Sequence, residues 1–371
     1  MDFKTAMEHY QKGTASPEER RFVEEELDKS QLIAQYLDSQ WESDAIPEAP
    51  PTELKQIRKT LRNRNILIVL TSLILAAALC FGILQFAIPA WESQYWDPNA
   101  RTRNRHVSDL TLTLSAYAEL FSPTQSILNV NATHTGFASY SLSIQQLRVR
   151  GYHSDTSYLS ANLSKGKLSF CDGFWEYVPA NIFVRACWPE YDMGEAFDRQ
   201  TRERLSSLPD YIWVTAAVSF ERDLSMEELT ALQASFADGS IQWAGIRICG
   251  MEEQMYPLCG MKPYASGVVL DFINETYPDF DIKLESAGAG QLESHFQSLL
   301  QFSLDQQQAG TGLDTVNTMA DSYYTRALEY VEENGVYSYG CYISGPASLF
   351  LELMDSGIAS QVWIEDAWIY A

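Results

Sequence analysis

Ile66-Leu-Ile-Val-Leu-Thr-Ser-Leu-Ile-Leu-Ala-Ala-Ala-Leu-Cys-Phe-Gly-Ile-Leu-Gln-Phe-Ala-Ile88 decides how this chain is organised. It holds no charged residue, and only Thr71, Ser72 and Gln85 are polar. As an α-helix it reaches roughly 35 Å, enough to cross a hydrocarbon core of about 30 Å with some tilt. The competing reading, a buried helix of a soluble protein, fits the flanks poorly. Lys55, Arg58, Lys59, Arg62 and Arg64 precede the stretch, and Trp91, Tyr95 and Trp96 follow it. Basic residues hold their side in the cytoplasm, and aromatic rings suit the opposite headgroup layer. The expectation is one membrane span, N-terminus inside and C-terminus outside. Some 64 polar residues come first and no small-residue cleavage pattern follows, which argues against a signal peptide. The span itself shows no charge and no proline kink to act as a switch.

The span cuts the 371 residues into unlike parts. Residues 1–50 carry a net charge of −7, residues 51–65 carry +4, and residues 90–371 carry −20. So acidic an outer region does not seek nucleic acid or anionic lipid by long-range charge. Cys80 lies in the span, while Cys171, Cys187, Cys249, Cys259 and Cys341 lie beyond it. There is no Cys-x-x-Cys, and the histidines are scattered, which disfavours a metal site. Cys249 with Cys259 and Cys171 with Cys187 are candidate bridges, and an odd count leaves at least one free thiol.

Working towards the N-terminus, Phe3, Ala6, Met7 and Tyr10 form the apolar face of a short helix that Gly13 ends. Ser16-Pro-Glu-Glu19 is a capping-box start for a second helix, Pro17 to about Ser39. Its apolar positions are Phe22, Val23, Leu27, Leu32, Ile33, Tyr36 and Leu37. Two helices of this size cannot bury a full core, so these faces need a partner. Glu24, Glu25 and Glu26 favour the helix dipole and would also suit a basic groove. Pro47, Pro50 and Pro51 make residues 42–53 a semi-rigid linker.

Beyond the span the pattern reads as α+β. Leu110, Leu112 and Leu114 alternate, as do residues 137–144, and Arg148-Val-Arg-Gly-Tyr suggests another strand. Residues 165–190 are less regular. A helix at Glu195–Ser207 precedes a β–α–β unit: strand Tyr211–Phe220, a helix from the Ser225/Glu228 capping box to about Phe236, and strand Ile241–Ile248. A second unit comprises strand Val336–Ser344, the Gly345-Pro346 turn, a helix to about Asp355, and strand Gln361–Tyr370. Trp243 and Trp363 occupy comparable places. The two units suggest halves of a ferredoxin-like split β–α–β domain. Between them lie an expected strand at Ser266–Phe272 and helices at about Leu292–Gln307 and Thr315–Asn334.

No motif for chemistry emerges. Ser286-Ala-Gly-Ala-Gly-Gln has neither P-loop nor Rossmann spacing, and no Gly-x-Ser-x-Gly occurs. Ser344-Gly345-Pro346 reads as a strand-to-helix turn before an anion site. The expectation is a non-enzyme without cofactor or metal.

Three sets of residues carry a family resemblance. They are Tyr10-x-Lys12-Gly13-Thr14-x-Ser16-x-Glu18-Glu19 in the arm, Tyr117-x-Glu119-Leu120-x-x-Pro123 followed by Gly136-Phe137-Ala138-x-Tyr140-x-Leu142, and a C-terminal set. That last set is Val218-Ser-Phe, Leu224-Ser-x-Glu-Glu-Leu229, Ile241-x-Trp243 and Gly340-x-x-Ile-Ser-Gly-Pro346. In this order they resemble the membrane-bound anti-sigma factors of Firmicutes, the sigma factor regulator family. The family pattern prefers glycine where Ala138 stands. Many such arms bind zinc through His-x-x-x-Cys-x-x-Cys; no cysteine precedes Cys80, so this resembles a zinc-less arm.

The resemblance implies a single-pass anti-sigma factor that sequesters an extracytoplasmic-function sigma factor and releases it on an envelope signal. It implies contacts by Phe3, Met7, Tyr10, Phe22, Val23, Leu27, Leu32, Ile33, Tyr36 and Leu37, with Glu24, Glu25 and Glu26 facing basic patches. A second small membrane protein is a further candidate partner; nucleic acid is not. The implied layout is an arm at 1–41, a linker and basic juxtamembrane helix at 42–65, the span at 66–88, and regulator modules at 91–190 and 195–371. The alternative is an envelope receptor or scaffold whose outer domain binds a cell-wall ligand.

Overall fold

The computed structural model describes residues 2–43, 51–102, 106–150, 153–171, 180–187, 192–250, 253, 257–263, 276–280, 287–308 and 322–369. It divides into two compact units, Met1–Leu84 and Gln85–Ala371.

In the first unit, α1 (Phe3–Gln11) and α2 (Pro17–Ser43) form a hairpin. Gly13 turns the chain at φ +72°, a left-handed conformation that costs glycine nothing. Ser16 Oγ accepts from the Glu19 amide at 3.3 Å, and Glu19 Oε2 accepts from the Ser16 amide at 2.8 Å. This reciprocal box fixes where α2 begins. The helix then runs four residues past Ser39, so residues 42–43 of the expected linker are helical, as are 51–53 at the start of the next helix; 44–50 lie outside the described residues.

A helical run leads from α3 (Pro51–Gly82) through a π-helical turn (Ile83–Ala87) into α4 (Ile88–Glu92). Lys59–Glu92 is long and apolar enough to span a membrane. The side chains from Lys59 to Phe81 are exposed. The span holds no proline, but its last turn is the π turn Ile83–Ala87. Pro89 lies one residue beyond Ile88, but a proline ring clashes with the carbonyl four residues earlier, here Gln85. The π turn brackets that carbonyl.

In the second unit, α5 (Asp109–Phe121) replaces the strand expected from Leu110, Leu112 and Leu114. Alternation misleads because the helix is buried nearly all round: Thr111 and Thr113 are as buried as the leucines. The start signal is Ser108, whose Oγ accepts from the Thr111 amide at 3.2 Å. Next come β1 (Gln125–Gly136), β2 (Ser139–Arg150), β3 (His153–Ser164) and β4 (Lys167–Phe170), an antiparallel sheet in sequence order. Phe137-Ala138, expected inside a strand, is the two-residue turn between β1 and β2. Ala138 has φ +45°, a conformation that glycine adopts at less cost. One face of this sheet carries Val130, Leu142, Ile144, Ala161, Leu163 and Leu168 into the core with α5. The other presents exposed rows such as Thr133–Ser141–Asn162–Ser169 and Asn131–Ser143–Ser160.

A one-turn 3-10 helix (Ala180–Phe183) runs into the short helix α6 (Val184–Cys187) before α7 (Gly194–Ser206). The second sheet is built from β5 (Ile212–Ser225), β6 (Ser240–Ile246), β7 (Gly260–Met261), β8 (Tyr337–Pro346) and β9 (Ala359–Ile369). The strand order is β7-β6-β8-β5-β9, with antiparallel neighbours throughout. Hence β5 and β6 run parallel with β8 between them, and β8 and β9 run parallel with β5 between them. Helices α8 (Met226–Ser235) and α11 (Ala347–Asp355) make the two crossovers, so the two β–α–β units interleave. The Ser225/Glu228 capping box starts α8.

β5 is buried on both faces. Val214, Ala216 and Val218 join the main core, while Ala217 joins a second cluster with Trp243, Tyr339, Tyr342 and Phe183. This explains its near-continuous apolar sequence. Gly340 on β8 is required by contact: a Cβ there would lie 2.5 Å from the Val218 carbonyl oxygen and 2.9 Å from the Phe183 ring.

Between the units lie α9 (Ala289–Gln308) and α10 (Tyr323–Asn334). Residues 309–321, covering the first part of the helix expected from Thr315, and the strand expected at Ser266–Phe272 are outside the described residues. Trp243 and Trp363 sit on equivalent strands in unlike surroundings: Trp243 is buried, whereas Trp363 is half-buried and stacks on Phe197 at 5.5 Å. Neither candidate disulfide is present, and all six cysteines are free thiols.

Candidate functional site

The site residues singled out by sequence all lie in the α1–α2 hairpin, and a second group of polar side chains gathers around Glu119.

In the hairpin, Ala6, Ala15 and Val23 are buried by the two helices themselves. Val23 therefore belongs to the arm's own contact and is not on its surface. Phe22 and Met7 are half-buried, and Phe3 meets Phe22 edge-on at 6.3 Å. His9 Nδ1 lies 3.0 Å from Glu19 Oε1. The Ser16 amide, then the His9 bond, hold the Glu19 carboxyl below the usual carboxylate range.

The remaining apolar residues stay exposed. Leu32 is 64% exposed, Ile33 60%, Tyr36 61% and Leu37 48%, and Phe3, Tyr10 and Leu27 are also outside. Leu32, Ile33, Tyr36 and Leu37 follow the helical repeat, so they share a face in the second half of α2. Glu24 is exposed. Glu25 pairs with Arg21 at 3.4 Å and Glu26 with Lys29 at 2.6 Å, both within the helix.

The Glu119 cluster was not foreseen as a site, although Tyr117-x-Glu119-Leu120 was part of a recognised motif. Its partners lie more than 120 residues away in sequence, which no local pattern reveals. Glu119 Oε1 is 2.8 Å from His295 Nε2 on α9 and accepts from the Lys262 amide at 3.3 Å. The Glu119 carbonyl accepts from Trp243 Nε1 at 2.8 Å. His295 Nδ1 faces the Asp279 carbonyl at 2.8 Å, an oxygen that can only accept. Both ring nitrogens thus face acceptors, and an imidazolium satisfies both.

Burial opposes charge on His295, but the Glu119 charge and hydrogen bond outweigh it, and the His295 pKa is raised. Burial likewise opposes charge on Glu119, but His295 and then Lys262 lower its pKa. Lys262 donates through Nζ to the Gln125 carbonyl and to Ser126 Oγ, and burial brings its pKa down to about 8. These groups tie α5 and the start of β1 to β6, β7 and α9. His295 and Lys262 are buried and Glu119 is half-buried, and their hydrogen bonds hold these elements together.

A cavity of about 410 Å³ is lined by Arg185, Arg222, Arg247, Glu221, Asp223 and Ser360, among others. Its arginines are committed: Arg185 to Asp192 and Asp198, Arg222 to Glu228, and Arg247 to Asp223 and the Ala186 carbonyl. Among the described residues, no group of three or more His, Cys, Asp or Glu side chains is placed to hold a metal ion.

Residues 205–362, from the end of α7 into β9, match the family model described as sigma factor regulator C-terminal. The chain carries a sigma factor regulator C-terminal domain. No match was found among curated proteins or solved structures. The matched span contains β5 to β8 and the start of β9, together with Lys262 and His295, while Glu119 reaches it from outside. The family ties the chain to sigma factor regulation and implies a sigma factor as partner.

Proposed function

We propose that this chain is a zinc-less, single-pass anti-sigma factor of the Firmicutes type. Its arm, residues 2–43, lies in the cytoplasm and occludes an extracytoplasmic-function sigma factor; the regulator region lies outside and triggers release on an envelope signal. We read the strand order of the regulator sheet as a ferredoxin-like split β–α–β domain. The single observation that carries the proposal is the exposed apolar face of α2, beside a domain of the sigma regulator family. A face with Leu32, Ile33, Tyr36 and Leu37 more than 45% exposed is stable in water only with a cover. The acidic start of α2, with Glu24, Glu25 and Glu26, suits a basic surface on the partner. Inhibition by occlusion needs no catalytic group. The test is a sigma-dependent promoter reporter in the host. Removing residues 2–43 should raise output while the chain still fractionates with membrane; unchanged output in that deletion rejects the proposal.

A second reading, an envelope receptor for a cell-wall ligand, draws on the exposed rows of the β1–β4 sheet. Those rows are hydroxyl and amide side chains, without charge, in a region of net −20. A neutral polymer could approach there without meeting charge repulsion. It predicts that the full chain is retained by insoluble host cell wall and that Asn162→Asp with Ser143→Asp abolishes retention.

A further inference from the structure

The helix that carries the span does not end freely. At its last residue, Glu92 Oε1 lies 2.7 Å from His134 Nε2 and accepts from the Ala138 amide at 2.6 Å. Both partners belong to the tip of the β1–β2 hairpin. Tyr95, one turn further on, meets Phe137 of the same tip edge-on at 5.9 Å. His134 is backed by Tyr140 at 5.3 Å, and Asn99 Nδ2 reaches the Ala132 carbonyl at 3.5 Å. The contact therefore has a hydrogen-bonded centre, an aromatic flank and a polar flank. It is built from Gly136-Phe137-Ala138-x-Tyr140, the motif for which the proposed sigma-binding arm has no use.

Two features make this contact more than a packing detail. The hairpin is stiff, because Ala132, Tyr140, Leu142 and Leu163 behind it belong to the hydrophobic core or pack against it. The helix, in contrast, has its compliant point just before the grip. The π turn at Ile83–Ala87 and the missing amide of Pro89 remove regular α-helical hydrogen bonds there. A rigid lever is thus fastened to the short segment beyond a weak joint.

We propose that the β1–β2 hairpin tip, through Glu92, His134 and the Ala138 amide, is the joint by which the regulator region moves the membrane helix, with the π turn as its hinge. Glu92 and His134 are positioning residues: they hold α4 in one orientation until the sheet shifts. The sense of this movement as a signal rests on the anti-sigma reading, whereas the mechanical joint does not.

The experiment uses the full chain in lipid nanodiscs and in the host. Hydrogen exchange is measured over residues 88–95 and 136–140 in the parent, in Glu92→Ala and Glu92→Gln, and in His134→Ala. Loss of a hydrogen bond to a charged group should speed exchange at the hairpin tip by about tenfold or more in Glu92→Ala. Gln, which keeps an acceptor oxygen, should fall between. The decisive reading is cross-talk: His134→Ala, a change in the sheet, must also speed exchange at 88–95. Exchange at 88–95 equal to the parent in His134→Ala overturns the joint. In the reporter strain, both alanine variants should shift output in the same direction by at least about threefold. If deletion of 2–43 raises output and neither alanine variant does, transmission through this joint is overturned while the anti-sigma reading stands. If the deletion has no effect, the anti-sigma reading fails, and the exchange data alone decide the joint.

Discussion

The arm and the regulator domain treat apolar side chains in opposite ways. The hairpin of α1 and α2 encloses Ala6, Ala15 and Val23 and leaves Leu32, Ile33, Tyr36 and Leu37 outside. The regulator domain encloses Trp243, Phe296, Phe302, Phe350 and Tyr324, and even pairs the Trp243 indole with the Glu119 carbonyl. Burial of a large side chain contributes about 1.5–3 kcal/mol, so a domain rich in such residues is self-sufficient. An arm that buries two alanines and a valine is not. What differs is where the stabilising surface is found: inside the chain for one and, in the proposed function, on a partner for the other.

That contrast can be broken most severely at Trp243. Trp243→Ala removes a fully buried ring and its hydrogen bond, and should cost about 3–5 kcal/mol. Urea unfolding of the full chain in detergent, followed by aromatic fluorescence, should show the loss in the regulator domain with the arm's helicity retained.

His295→Ala comes next. It leaves the half-buried Glu119 beside one fewer cation and should cost about 2 kcal/mol, less than a fully buried pair because Glu119 keeps some water. The pair also carries a pH signature. The His295 pKa is raised on folding, so its contribution is complete below the ordinary histidine value of about 6.5 and is lost as pH rises through the elevated value. The Glu119 pKa is lowered, so its contribution is complete above about 4.5 and is lost as pH falls through the depressed value. Stability from the pair should therefore peak between those limits, and the peak should vanish in His295→Ala. An unaltered pH–stability profile in that variant would remove the ion pair from the account.

The smallest effect on folding should come from the arm. Leu32→Ala with Tyr36→Ala alters exposed positions, so unfolding should change by no more than about 0.5 kcal/mol. Binding of the sigma factor should nonetheless weaken by about tenfold to a hundredfold, as truncated anchors do. Calorimetry with the full chain checks it. A pair that unfolds the arm and spares binding would reverse the comparison.

Elements with local start and stop signals were legible in the sequence. Ser16 with Glu19 and Ser225 with Glu228 cap α2 and α8 as the spacing requires, and Gly13 stands in the left-handed conformation after α1. α5 was not legible, because a helix buried on every side loses the amphipathic period that identifies one. Ala138 shows the opposite case, where the sequence pattern held a turn residue whose reason lay in a backbone angle. The Glu119 cluster was half legible: the motif marked the glutamate, but nothing local marked Lys262 or His295.

The sequence by itself determined the apolar run from Ile66 to Ile88, the acidic charge on either side of its basic flank, and the helices and strands that carry their own caps. These depend on neighbours a few residues apart, where periodicity and capping act. Only the tertiary structure decided the interleaving of β5, β6, β8 and β9, the imidazolium of His295 against Glu119, and the grip of the β1–β2 tip on Glu92. Such contacts join residues from about forty to nearly two hundred positions apart. Their energy comes from burial and charge pairing that exist only once the chain has closed, so no window along the sequence contains them.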